Sequence, residues 1–218
     1  MLEYEKDVVR KILDIDNANQ DFKSCFVLAL KSARDNTGRD VNTGEFIGNL
    51  YAEEISDKGL FESKNFTGLC CYLILLEQIG SLFIKKTYNI GQKTNGIKIA
   101  LENFSLLKPD EIACIISLRH CLAHNFSLAP RPNNNPKIKK HKFCLNYFEE
   151  SFAIKFNSEW DGTYTDKSDL TNTEIGVKPL CDLIEGVIVN LKNAVLNNEV
   201  KLIIKDINEL TARFTVKN

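Results

Sequence analysis

A mainly α chain, built as an antiparallel helical bundle that carries one small β-hairpin, is predicted by three patterns. Apolar residues recur every three or four positions through residues 66–86, 109–124 and 179–197, the spacing that gathers them on one helix face. Pro130, Pro132 and Pro136 stand with Asn133, Asn134 and Asn135 in one tract, where regular structure must stop. Beyond that tract, residues 142–147 and 152–157 alternate apolar and polar side chains, the period of a strand. With 218 residues, 44% of them hydrophobic, the chain suits one domain with its own core rather than a tandem of large domains.

The elements follow in order. Residues 3–36 read as one long or two successive helices. Val8, Val9, Ile12 and Leu13 form a first apolar face, Phe22, Cys25, Phe26 and Ala29 a second, and 14–19 a break between them. Residues 37–65 change character, with Gly38, Gly44, Gly48 and Gly59 among many Asn and Asp; a loop-rich connection is expected, with a short helix near 50–55. Leu69, Leu73, Leu76, Ile79 and Phe83 then make the strongest stripe, weakened only by the interior Gly80. A shorter helix is expected over 96–103.

Lys108-Pro109-Asp110-Glu111 places a proline and two acids where a first helical turn favours them, and opens a helix that runs to His124. Ile115, Leu118 and Leu122 give it a buried face that Ile112, Ile116 and Ala123 widen. The two alternating stretches are read as a hairpin turning through 148–151, leaning on the helices because a lone hairpin is marginal. An amphipathic helix at 179–197 presents Leu180, Leu183, Ile184, Val187, Ile188 and Leu191, and a last helix covers 203–214. The expected organisation is a single helical domain over 1–218, with 127–178 as a basic loop and hairpin inserted in it.

Composition narrows the setting. A formal charge of -1 excludes a surface coated in positive potential, so any contact with nucleic acid must come from a local patch. Cys25, Cys70, Cys71, Cys114, Cys121 and Cys181 lie in apolar helical stretches, where a reduced thiol packs as a small hydrophobe. Cys114 and Cys121 share one helix face and His120 and His124 another, but no CxxC pair supports them and His141 falls in a loop, so no metal site and no cofactor are expected. No run approaches the roughly 18 apolar residues of a membrane span, and the start MLEYEKDVVRK is too charged for a secretory signal. A cytoplasmic protein with no membrane partner is expected.

The segment Ile116-Ser117-Leu118-Arg119-His120-Cys121-Leu122-Ala123-His124-Asn125-Phe126 carries the chemistry. It is an apolar helical stretch that ends on one guanidinium and two imidazoles. Arginine stays charged and offers a fork of N–H donors to two phosphate oxygens, while histidine titrates near neutral pH and can move a proton. Cleavage of RNA by internal transfer needs both. A base takes the 2′-hydroxyl proton, charge builds on the phosphorane oxygens, and an acid protonates the departing 5′-oxygen. Arg119 suits the oxyanion and His124 the proton transfer. His120 supports the site or caps helix carbonyls, and Asn125 either supports it or ends the helix in a left-handed conformation.

The arrangement Arg119-x4-His124, with the polar His120 directly after the arginine, resembles the signature of the HEPN superfamily (higher eukaryotes and prokaryotes nucleotide-binding domain). The resemblance extends over the bundle at 5–126 and the helix at 179–197. It implies an HEPN-like antiparallel bundle, a metal-independent endoribonuclease, and a homodimer whose composite site lies at the interface. It further implies a place among toxins, antiviral-defence effectors or RNA-processing enzymes, with an antitoxin or regulatory protein as partner. In HEPN proteins paired with a nucleotidyltransferase antitoxin, a tyrosine two residues after the histidine receives the nucleotide. Phe126 stands there in this chain and has no hydroxyl to modify.

Side chains five apart on an ideal helix point about 140° apart. Arg119 and His124 therefore converge only if the helix ends near His124, or if a second copy supplies the missing group. Between Ser127 and Phe148 no acidic residue occurs, while Arg131, Lys137, Lys139, Lys140 and Lys142 are basic. They form either an RNA-binding patch beside the motif or a solvated loop. The leading expectation is an endoribonuclease for single-stranded RNA. The alternatives are a non-catalytic HEPN-like module that binds RNA, a nucleotide or a protein, and a helical interaction protein in which the arginine and histidines are structural.

Overall fold

A computed structural model describes residues 2–15, 23–48, 58–89, 95–130 and 140–216 of the chain. In chain order the elements are α1 (Glu3–Ile12), β1 (Lys23–Ser24), α2 (Cys25–Asn36), α3 (Lys58–Leu82), β2 (Phe83–Lys85), α4 (Gly96–Phe104), α5 (Pro109–Asn125), β3 (Lys142–Asn146), β4 (Ile154–Phe156), a 3-10 turn (Asp169–Thr171), β5 (Asn172–Gly176), α6 (Val177–Leu196), β6 (Val200–Leu202), α7 (Ile207–Phe214) and β7 (Thr215–Val216). The protein is mainly α, as the periodicity predicts. Two compact units divide it, Met1–Leu106 with Ile184–Asn218, and Leu107–Leu183, so α6 is shared between them. The expected helix at 50–55 lies outside the described residues.

In the first unit, α1 carries Glu3 and Glu5 at its positive end and Arg10 and Lys11 at its negative end, and buries Val9 and Ile12. The predicted break begins at Asp14, whose φ is 49°. Ser24 joins the flanking helices: its hydroxyl donates to Ile12 O at 2.6 Å and accepts from Val27 N at 3.0 Å, capping α2. Phe26, Leu30 and Ala33 are buried, whereas Cys25, expected among them, is exposed. As first residue of α2 it points about 100° away from Phe26.

The stripe over 66–86 marks only part of α3. The helix starts earlier: its first turns carry Glu62, Lys64 and Asn65, which make no stripe, and Asn65 Nδ2 bonds along the helix to Phe61 O at 2.9 Å. It also stops earlier. Phe83 to Lys85 leave as β2 and pair antiparallel with β6, Phe83 opposite Leu202 and Lys85 opposite Val200. By length and composition Gly59–Leu82 reaches the size of a membrane span, 24 residues with an 18-residue window of mean hydropathy 1.2, although Glu62, Lys64, Asn65 and Glu77 interrupt its apolar run. Within the protein 56% of that window is buried, Tyr72, Leu73, Leu76 and Ile79 almost wholly.

Gly80, a weakness in the sequence pattern, is where α3 and α4 touch. A Cβ there would stand 1.8 Å from Gly96 O, and a Cβ on Gly96 would stand 2.5 Å from Glu77 O. Only two glycines let the backbones approach this closely. Asn95 caps α4 by accepting from Ile97 N at 2.8 Å and Lys98 N at 3.4 Å. Asp206 caps α7 in the same way, and β7 closes the unit against β1.

A buried ion pair ties α2, α3 and α6 together inside this unit. Arg34 Nε and Nη2 each donate to a Glu185 carboxylate oxygen at 2.8 Å, and the Tyr72 hydroxyl donates to the same carboxylate at 2.6 Å. Arg34 Nη1 donates to Val41 O at 3.1 Å and Asn42 O at 2.7 Å, fastening the turn after α2. Gly44, with φ 81°, completes the packing, since a Cβ there would meet Glu185 Oε2 at 2.6 Å.

The second unit holds α5 and a three-stranded sheet in the order β3-β5-β4. Strands form where the alternation predicts, but the hairpin does not. β5 lies between β3 and β4, parallel to the first and antiparallel to the second, with Thr173 facing Phe143 on one side and Phe156 on the other. The central strand satisfies both backbone edges and buries Thr173 and Ile175, which a lone β3–β4 ladder would leave without a covered face. Glu174, on the opposite side, binds Lys155 at 3.0 Å and Asn157 at 2.8 Å. β5 escaped sequence reading because it runs directly into α6.

Replacing Gly80 with alanine is expected to lower stability by about 1–3 kcal/mol in a urea melt. Gly186→Ala, at a helix position with nothing within 4 Å, raises it by up to about 1 kcal/mol. Glu185→Ala strands the Arg34 charge and costs about 3–5 kcal/mol, whereas Tyr72→Phe removes one bond to a charged group and costs about 1.5–3 kcal/mol in the same measurement.

Candidate functional site

Helix α5 positions the motif. The Lys108 backbone N–H donates to Glu111 Oε2 at 2.7 Å, Pro109 opens the first turn, and Ile112, Cys114, Ile115, Leu118, Cys121 and Leu122 are buried. The buried face is narrower than predicted: Ile116 is half-buried and Ala123 exposed. These anchors leave the imidazoles of His120 and His124 facing solvent.

The helix ends one residue later than expected. Asn125 is its last residue, and the left-handed position predicted for Asn125 belongs to Phe126, with φ 45° and ψ 46°. Two backbone bonds close the end, Phe126 N to Leu122 O and Ser127 N to Cys121 O, both 3.2 Å. The longer loop of the second bond is what carries the reversal past Asn125 to its neighbour.

Here the two signature residues meet within one chain. Arg119 Nη1 donates to His124 Nε2 at 2.8 Å. Of the two routes to convergence, the helix takes the first: it ends at Asn125, one residue past His124, and the arginine side chain is long enough to cover the turn. A guanidinium only donates, so Nε2 must offer its lone pair, and the imidazole is neutral with its proton on Nδ1. His120 completes the cluster, its ring centroid 4.9 Å from that of His124 and tilted by 57°. Both histidines are exposed and Arg119 is half-buried. A guanidinium and two imidazoles are groups that can bind an anion and transfer a proton, and protonating Nε2 would remove the acceptor of the Arg119 bond.

Cys114 and Cys121 are buried while His120 and His124 are exposed, so thiols and imidazoles do not converge. Burial pushes the Cys121 thiol pKa up, away from the thiolate that a metal would require. Among the described residues no group of three or more His, Cys, Asp or Glu stands where it would hold a metal. His141 sits apart from the motif, buried, with Nδ1 3.0 Å from Thr173 Oγ1 and its ring stacked on Phe143.

Of the basic residues after the motif, Arg131, Lys137 and Lys139 lie outside the described residues. Lys140 donates to Asp161 O at 3.3 Å. Lys142 donates to Ser168 O at 2.8 Å and Asp166 O at 3.3 Å, with the Asp166 carboxylate at 3.8 Å. These two ammonium groups hold the loop over 158–171 against the sheet. The loop also braces the chain leaving α5, because Tyr164 donates its hydroxyl to Pro130 O at 2.6 Å, while Phe143 N donates to Leu128 O at 2.7 Å. Its signal in the sequence is the pair Asp161-x-Thr163 and Asp166-x-Ser168, aspartates that bond the backbone two residues on.

Comparison of the chain with protein families, characterised proteins and solved structures finds no match.

The loop contacts make its order depend on pH. The N–H of Thr163 holds the Asp161 carboxyl below the usual carboxylate range, and the hydroxyl of Thr171, with the N–H of Ser168, does so for Asp166. A carboxyl lowered on folding stabilises above its unfolded pKa, about 3.9, and that contribution is lost as pH falls through the lowered value. Trp160, the sole tryptophan, is buried in this loop and donates Nε1–H to Thr163 O at 3.0 Å. Its fluorescence is expected to stay constant from neutral pH to about pH 4 and to shift to the red below, and Asp166→Asn is expected to show the shift already at neutral pH.

Proposed function

We propose that this chain is a metal-independent endoribonuclease of the HEPN type, which cleaves single-stranded RNA by attack of the 2′-hydroxyl on the adjacent phosphate. The observation that carries the reading is the 2.8 Å contact between Arg119 and His124 at an exposed helix end, with the His120 ring beside it. An entering phosphodiester offers its oxygens to the guanidinium, which then releases the Nε2 lone pair. That nitrogen takes the 2′-hydroxyl proton, the oxygen attacks phosphorus, and Arg119 stabilises the charge on the phosphorane. Bond cleavage leaves a 2′,3′-cyclic phosphate and a 5′-hydroxyl. No metal is required by this route, since the nucleophile belongs to the substrate.

Two proton transfers need two groups. In a homodimer with a composite site, the second subunit's imidazole donates to the departing 5′-oxygen, while His120 and Asn125 support the reacting side chains. The basic residues Arg131, Lys137, Lys139, Lys140 and Lys142 would add phosphate contacts. Such an enzyme would act in the cytoplasm as a toxin or antiviral-defence effector, restrained by an antitoxin or regulatory protein.

One observation favours a non-catalytic module that binds RNA, a nucleotide or a protein. The bond that joins Arg119 to His124 also occupies the lone pair that a general base must have free.

Purified protein in EDTA is expected to cut single-stranded RNA to products ending in 2′,3′-cyclic phosphate. His124→Ala and Arg119→Ala are each expected to slow cutting by at least about 100-fold without changing the melting temperature appreciably. RNA binding with no cutting by the wild-type protein supports the binding module instead. Neither cutting nor binding overturns both readings.

A further inference from the structure

We infer that Phe126 is a stacking platform for one base of the bound RNA, and so a residue that places the strand on the Arg119–His124 pair. The inference rests on the reading of this helix end as an RNA site.

Phe126 is 81% exposed, two residues beyond His124. A single exposed aromatic ring is ordinary on protein surfaces. The backbone beneath this one is not, for Phe126 holds φ 45° and ψ 46°. That conformation crowds Cβ against the following carbonyl in every residue but glycine, and asparagine tolerates it better than a bulky aromatic. The ring recovers little by packing, since most of it faces solvent. Stability is thus sacrificed to keep an aromatic side chain where glycine would serve the helix end better, and strain of this kind collects at functional positions.

The backbone that carries the ring is also fixed. Phe126 N bonds to Leu122 O and Ser127 N to Cys121 O on the helix side, and on the other side Leu128 O accepts from Phe143 N and Pro130 O from the Tyr164 hydroxyl. The strand leaving α5 is therefore fixed at both ends of the short segment that carries the ring, which lowers the entropy lost when a base settles on it. Every nucleobase has a π-face, so such a platform grips single strands without reading their sequence. The base of a paired nucleotide is stacked in its own helix, and the platform therefore favours unpaired RNA. A guanidinium for the phosphate and a ring for the base are the two groups needed to hold one nucleotide.

The test uses short single-stranded oligoribonucleotides with 2-aminopurine placed at successive positions, mixed with the full chain in EDTA. Binding to wild-type protein is expected to quench the probe at one position, as is binding to Phe126→Trp. Phe126→Gly, which removes the ring and relieves the backbone, is expected to keep its fold, to lose the quenching, and to bind about 5- to 150-fold more weakly. In cleavage assays that variant raises KM with kcat unchanged. Binding and quenching by Phe126→Gly equal to wild type overturn the inference, as does a variant whose only defect is loss of dimer in sedimentation. Phe126-dependent quenching without cleavage would remove the ribonuclease reading alone. Cleavage indifferent to Phe126 would remove this inference alone.

Discussion

A guanidinium can donate hydrogen bonds and cannot accept them, and the end of α5 depends on that asymmetry. Because Arg119 donates to His124, Nε2 must offer its lone pair, and the bond fixes which ring nitrogen accepts. With histidine as acceptor, the bond at the end of α5 joins two side chains of which neither carries a negative charge. The buried side of α5, Ile115 and Leu118 above all, keeps the helix from turning, so the polar cluster stays in solvent.

The first unit solves a different problem, the burial of charge. Arg34 and Glu185 are 5% and 8% exposed, and desolvation alone would make either one costly. Each nitrogen of the guanidinium is engaged, two on the carboxylate and one on the carbonyls of Val41 and Asn42, while Tyr72 adds its hydroxyl. Directional bonds of this kind fix the register of three helices, which apolar packing by itself leaves loose. Gly80 and Gly96 work alongside them by admitting backbone where any side chain would intrude.

Much of the helical content was legible. α4, α5 and α6 stand within a residue or two of where periodicity places them, because each has a clear apolar stripe and a cap or proline that marks its start. The beginning of α3 was not legible, since Glu62 and Lys64 interrupt the stripe that identifies a helix. Nor was the Arg34–Glu185 pair: the two are 151 residues apart, and a charged residue in an apolar stretch looks the same whether it finds a partner or points to water. The motif at Arg119 to His124 was readable as chemistry, yet its helix end was assigned to Asn125 because asparagine tolerates a left-handed backbone better than phenylalanine does.

The sequence by itself determined the helical class, the placement of α5 and the residue types gathered at its end, because these follow from local periodicity, capping and side-chain chemistry. Tertiary structure decided which groups meet. The order β3-β5-β4, the approach of Gly80 to Gly96 and the tethering of Lys140 and Lys142 to loop carbonyls all join residues distant in the chain. Local pattern carries no record of such pairings, since a strand or a lysine has many partners it can satisfy equally well. The global packing selects one.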